Sequence, residues 1–131
     1  MRILVPLLSL AVLAGTAALA KPPLRDVAQI DNGVMTVAIA DAIRKSCEDI
    51  NPRLIRAYSA LNALKSMARE RGYSDEEVET YVTSKDEKAR MKAKAERYLA
   101  SQGVTLDDRP GLCRFGREQI AAETAIGRLL R

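Results

Sequence analysis

The stretch SDEEVETYVTSKDEKARMKAKAERYLASQG, residues 74–103, decides the fold class. Ser74-Asp75-Glu76-Glu77 has capping-box spacing: the Ser74 hydroxyl can accept from the Glu77 backbone N–H while the Glu77 side chain reaches back. A short helix through Val78, Tyr81 and Val82 should follow. Ser84-Lys85-Asp86-Glu87 repeats the same chemistry, and between Thr83 and Arg90 the only apolar residue is Ala89. The reading therefore favours a break or kink at Ser84 over a helix continuing through an exposed charged turn. A further helix to Ser101 would pack Met91, Ala95, Tyr98 and Leu99, with Gly103 ending it. Helix starts are dense here and strand alternation is almost absent, which predicts an all-α protein.

Working outward, Asp31 or Asn32 can cap a first helix on which Met35, Ile39, Ile43 and Cys47 recur every four residues. Asn51-Pro52 reads as a restart, with proline at the first helical position. The second helix, to about Arg71, should turn Leu54, Ala57, Tyr58, Leu61, Leu64 and Ala68 inward, and Gly72 supplies its left-handed cap. After Pro110-Gly111, a last helix would bury Leu112, Cys113, Phe115, Ile120, Ile126 and Leu130. Gly116, Ala121 and Gly127 lower part of its surface. Close approach of another helix is the simple explanation, and Gly116, Ile120 and Gly127 form a candidate partner-facing strip. The expected architecture is a compact bundle of four or five helices.

The first twenty residues, MRILVPLLSLAVLAGTAALA, read as a secretory signal: Arg2, an apolar run, and Ala18-Leu19-Ala20 as a cleavage pattern before Lys21. The run is too short for a bilayer span, contains Pro6, and is followed at once by Lys21-Pro22-Pro23. Residues 21–131 are then a single helical domain of 111 residues with no stable membrane span, placed in the periplasm. Cys47 and Cys113 are the two cysteines, and in an oxidising compartment they should form one disulfide. It would close a loop of about 67 residues and contribute on the order of 4 kcal/mol. The chain carries 21 Lys and Arg against 17 Asp and Glu; losing Arg2 with the leader leaves +3. That mild excess suits an acidic partner or anionic surface, whereas nucleic acid is a poor match for an exported chain.

Candidate chemistry is sparse. Asp75, Glu76, Glu77 and Glu79 are explained by the helix dipole and lack the alternation and central glycine of a calcium loop. Lys85, Lys88, Arg90, Lys92, Lys94 and Arg97 read as a solvated face interleaved with Asp86, Glu87 and Glu96, with Asp86 and Arg90 as an i,i+4 pair. The sequence has no histidine, its cysteines are far apart, and neither G-x-S-x-G nor a Gly-rich phosphate loop occurs. No metal or cofactor is expected, and no catalytic residues are assigned. Glu77 and Glu118 are the carboxylates to mutate first should activity be found.

The segments ADAIRKSC (40–47, from Ala40), ERGYSDEEVETYV (70–82), EKARMKAKAERYL (87–99) and LCRFGREQIAAETAIGRLLR (112–131) carry a family likeness. Over nearly all its mature length the chain resembles a family of small exported alphaproteobacterial proteins known as a domain of unknown function. Members are often encoded among genes for respiratory complex I, which implies a link to that membrane enzyme from the periplasmic side. The expectation is a non-catalytic binding or accessory protein with a partner in the cell envelope. A holdase-type stress chaperone is the alternative, and an envelope hydrolase is the third.

Overall fold

The computed structural model describes residues 20–131, so the signal segment assigned above lies, but for Ala20, outside the described residues. Five α-helices follow in order: α1 (Ala28–Ser46), α2 (Leu54–Glu70), α3 (Asp75–Thr83), α4 (Lys85–Ser101) and α5 (Arg109–Ala121). Single 3-10 turns occupy Leu24–Asp26 and Gly127–Leu129. Among the described residues there is no strand, only one isolated antiparallel bridge between Pro52 and Leu130. The protein is all-helical, as residues 74–103 imply. α1 is the hub, packing against α2, α4, α5 and both 3-10 turns.

Local chemistry sets the boundaries. Ser74 accepts from Glu77 N at 3.1 Å while Glu77 Oε2 accepts from Ser74 N at 2.7 Å, completing the capping box. Ser84 sits at φ −60°, ψ 130°, closing α3 and opening α4, and its hydroxyl accepts from Glu87 N at 3.3 Å. The chain breaks at Ser84 because that hydroxyl offers a new cap where no apolar residue holds a continuous helix to the core. Gly72 takes φ +87° after α2.

Three expected boundaries move. α1 begins at Ala28 with Val27 as its cap, because the Val27 carbonyl accepts from both Ile30 and Asp31 N–H groups. Asp31 is therefore inside the helix and neither it nor Asn32 caps it. α2 starts at Leu54 instead of Pro52, since Asn51 and Arg131 exchange backbone hydrogen bonds of 2.7 and 2.8 Å and Arg53 N donates to Leu129 O. The last helix stops at Ala121. Glu123 adopts φ +51°, the chain reverses, and Ile126 and Leu130 reach the core from the turn beyond instead of from α5.

The core has two parts. The larger joins the second half of α1 to α4, α5 and the C-terminal turn, with Ile39, Ile43, Leu99, Leu112 and Leu130 at 1% exposure or less. Cys47, at the end of α1, and Cys113, in α5, are joined in a disulfide with Cα atoms 5.6 Å apart. The smaller part links Leu24, Val27 and Ile30 to Ala68, Tyr73 and Val78. An N-terminal strap closes it: Lys21 Nζ donates to Gly72 O at 2.6 Å and to Glu77, and lies 4.9 Å from the Tyr73 ring centre. The Tyr73 hydroxyl donates to Pro22 O.

Candidate docking surface

α2 carries two apolar stripes that the sequence merges into one. At roughly 100° per residue, Ala57, Ala60, Leu64, Met67 and Ala68 share the stripe that meets the core. Leu54, Tyr58 and Leu61 lie roughly 70–130° round from its centre. They are 69%, 68% and 43% exposed, so the inward placement expected for them is corrected. Alanine is the reason: small side chains on the first stripe seat α2 on α1 and leave the larger ones beside the contact. Ile55, 84% exposed, lies on the far side, and Val82 of α3 is 44% exposed.

Leu54, Tyr58, Leu61 and Val82 border an apolar depression over α1. Three adjoining hollows of about 330, 360 and 350 Å³ share Val34 as a common floor residue. Leu54, Ala57 and Leu61 form the α2 wall, Tyr81 and Val82 the α3 wall, and Met91 and Ala95 the α4 wall. Ala38 widens two of the three. Charges stand at the edges: Lys65 and Glu79 at one end, Asp41 and Arg44 at the other, Lys88 and Lys92 beside α4. Asp41 is already engaged by Arg44 and Lys45, each at 2.6 Å, and these cations hold its carboxyl below the ordinary range against the opposing effect of burial.

A charged cluster borders this depression, sharing Tyr81 and Arg90 with its lining. Asp31, 2% exposed, accepts from the Tyr81 hydroxyl at 2.5 Å, from both terminal nitrogens of Arg90, and from Lys94 Nζ at 2.5 Å. Burial alone would raise its pKa; the hydrogen bonds from Arg90, Lys94 and Tyr81 outweigh it and hold the carboxyl at about 2. Burial and the bond to Asp31 push the Tyr81 phenol up, and the same carboxylate pushes Arg90 up. Arg90 also donates to Glu87 at 2.8 Å, and Arg25 pairs with Glu87 from the N-terminal turn. The cations of α4 are therefore not simply a solvated face: Arg90 and Lys94 turn inward, and Arg90 binds Asp31 and Glu87 instead of Asp86. Nothing in the local pattern around Asp31 foretold this, because its partners lie 50 to 63 residues away. A permanently ionised carboxylate wrapped by three donors orders helices and is a poor proton donor at neutral pH.

The residues singled out from sequence fall in different places. Cys47 and Cys113 meet. Gly116 and Gly127 are both buried, and their small size serves the chain's own packing. A Cβ on Gly116 would lie 2.7 Å from Ile43 Cγ2 and 2.9 Å from Ile50 Cδ1; one on Gly127 would overlap the Gln119 backbone. Ile120 is half-buried against the larger core. The open apolar surface lies over α1, α2 and α3 instead of beside these glycines. Glu77 is used by the capping box and the Lys21 strap, which hold its carboxyl below the usual range, and Glu118 is exposed. Among the described residues no group of three or more His, Cys, Asp or Glu side chains is placed to hold a metal ion. No described helix is long and apolar enough to cross a membrane.

A small helical protein with one disulfide staple, one buried charge cluster and one uncovered apolar side is the class these observations define. The chain belongs to the family of unknown function DUF5333, whose model matches residues 22–131. No curated protein and no solved structure matches it.

Proposed function

We propose that the protein is exported, oxidised outside the cytoplasm, and acts without catalysis by binding a protein partner in the cell envelope through the groove over Val34. The observation that carries this is the uncovered flank of α2: Tyr58 and Leu61 line one hollow with Val82, and Leu54 and Leu61 line the adjoining one. Contiguous aliphatic surface of this kind favours a partner that removes it from water. Export is supported by the leader pattern, by the Cys47–Cys113 bond, and by the anchoring of Lys21, the residue that cleavage would place first. Periplasmic placement and a link to respiratory complex I follow from the leader and the family resemblance respectively, and complex I is the first partner to probe.

The test is capture of tagged protein from its native envelope, with Leu61→Ser/Val82→Ser alongside wild type. Wild type should return a reproducible partner and the double variant should lose it while melting as wild type does. A wild-type capture without any reproducible partner, or one the variant leaves unchanged, contradicts the reading. The chaperone alternative has less support, because Asp31, the buried carboxylate of the described core, keeps its charge until about pH 2. An acid switch near pH 4 would have to run through the carboxylates other than Asp31.

A further inference from the structure

The N-terminal end of α2 presents a second feature, separate from the groove floor. Leu54 and Ile55 are neighbours in the helix that point roughly 100° apart, and neither is buried in the core. They protrude at 69% and 84% exposure, with Tyr58 at 68% one turn on. Around them the surface is cationic except for Asp41, which lines the hollow shared with Pro52 and Leu54 and is paired with Arg44 and Lys45. Pro52, Arg53, Leu54, Ile55, Arg56 and Arg131 line this end, a set with three arginines and no acidic side chain. Arg53 Nε donates to Leu130 O at 3.0 Å and Arg56 to Arg128 O at 3.4 Å, which ties the collar to the C-terminal turn. An α-carboxylate on Arg131 would cancel one of the three charges and leave an excess.

We propose that this end of α2 is an interfacial anchor that seats on an anionic bilayer surface, with Leu54 and Ile55 entering the headgroup boundary and the arginines meeting lipid phosphates. Shape and charge both select that occupant. A protruding aliphatic pair suits a deformable apolar layer, whereas a helical partner needs a hollow such as the one over Val34. Tyr58, apolar in body and polar at its tip, lies where interfacial aromatics concentrate. Each arginine near an anionic surface strengthens binding about fivefold, so the collar predicts a strong preference for anionic over neutral lipid that weakens with salt.

The experiment is flotation of protein recovered after export, its leader confirmed absent by mass, with vesicles of phosphatidylglycerol and phosphatidylcholine or of phosphatidylcholine alone. Binding should be confined to the anionic vesicles and fall at least about tenfold in Leu54→Ser/Ile55→Ser. Arg56→Gln/Arg131→Gln should lower it by about tenfold or more, and 0.5 M salt should release it. All four side chains are exposed, so matched melting curves establish that the variants fold. No flotation with anionic vesicles overturns the proposal. So does flotation that Leu54→Ser/Ile55→Ser leaves intact, which would mean attraction by charge elsewhere. A concentration-dependent dimer dissolved by those substitutions, without flotation, overturns it in favour of a second copy. Flotation uses no protein partner, so its failure and the failure of envelope capture are separate results.

Discussion

The α5 side and the α2 side of α1 both carry aliphatic side chains and treat them in opposite ways. On the α5 side a disulfide, two buried glycines and a folded-back C-terminal turn bring the backbones close enough to exclude water from Ile43, Leu112 and Leu130. On the α2 side alanines make the contact, and Leu54, Tyr58 and Leu61 remain outside it. Closure thus follows from small residues and a covalent staple, while large aliphatic residues beside a shallow contact stay available. The difference separates a part that holds the fold from a part that can bind.

Breaking the closed side should give the largest effect. Cys113→Ser, or reduction of the bond, should lower unfolding free energy by about 4 kcal/mol in urea denaturation, because a long loop regains its freedom in the unfolded chain. Asp31→Asn should cost about 3 kcal/mol by stranding Arg90 and Lys94 without their carboxylate, measured by the same denaturation at pH 7. Acid should act through the same residue. Its folded pKa of about 2 lies below the ordinary 3.8, so its contribution is fully present above pH 4 and disappears as pH falls through 2. That loss amounts to about 2 kcal/mol and is absent in Asp31→Asn, as acid titrations of the two proteins would display. Gly127→Ala, whose new methyl meets the Gln119 backbone, should cost roughly 2 kcal/mol by thermal melting. Substitutions on the open side should be smallest: Tyr58→Ser or Leu61→Ser should change stability by no more than about 0.5 kcal/mol. A large loss there would erase the contrast.

Much of the closed side is legible in the sequence. Helix periodicity places Ile39, Ile43 and Leu99 in the core, the cysteine count pairs Cys47 with Cys113, and Ser74 and Ser84 mark helix starts through local hydrogen bonds. All of these are short-range signals or have one solution. The open side is not legible in the same way. Two stripes one residue step apart on α2 look like one wide apolar face, and only the seating of α2 on α1 decides which is covered. Asp31 illustrates the same limit: within α1 it looks like a cap, while its partners come from α3 and α4. The end of α5 is hidden in the sequence because Ile126 and Leu130 continue an apolar pattern even though the chain reverses at Glu123. A long-range return can satisfy the same burial as a longer helix.

The most direct test is site-specific photo-crosslinking in the native envelope, with a photoreactive residue at position 61 on the open α2 flank or at position 114, exposed on α5. A discrete crosslinked species is expected from position 61 and none from position 114. Crosslinks from 114 alone, or none from 61, would contradict that expectation.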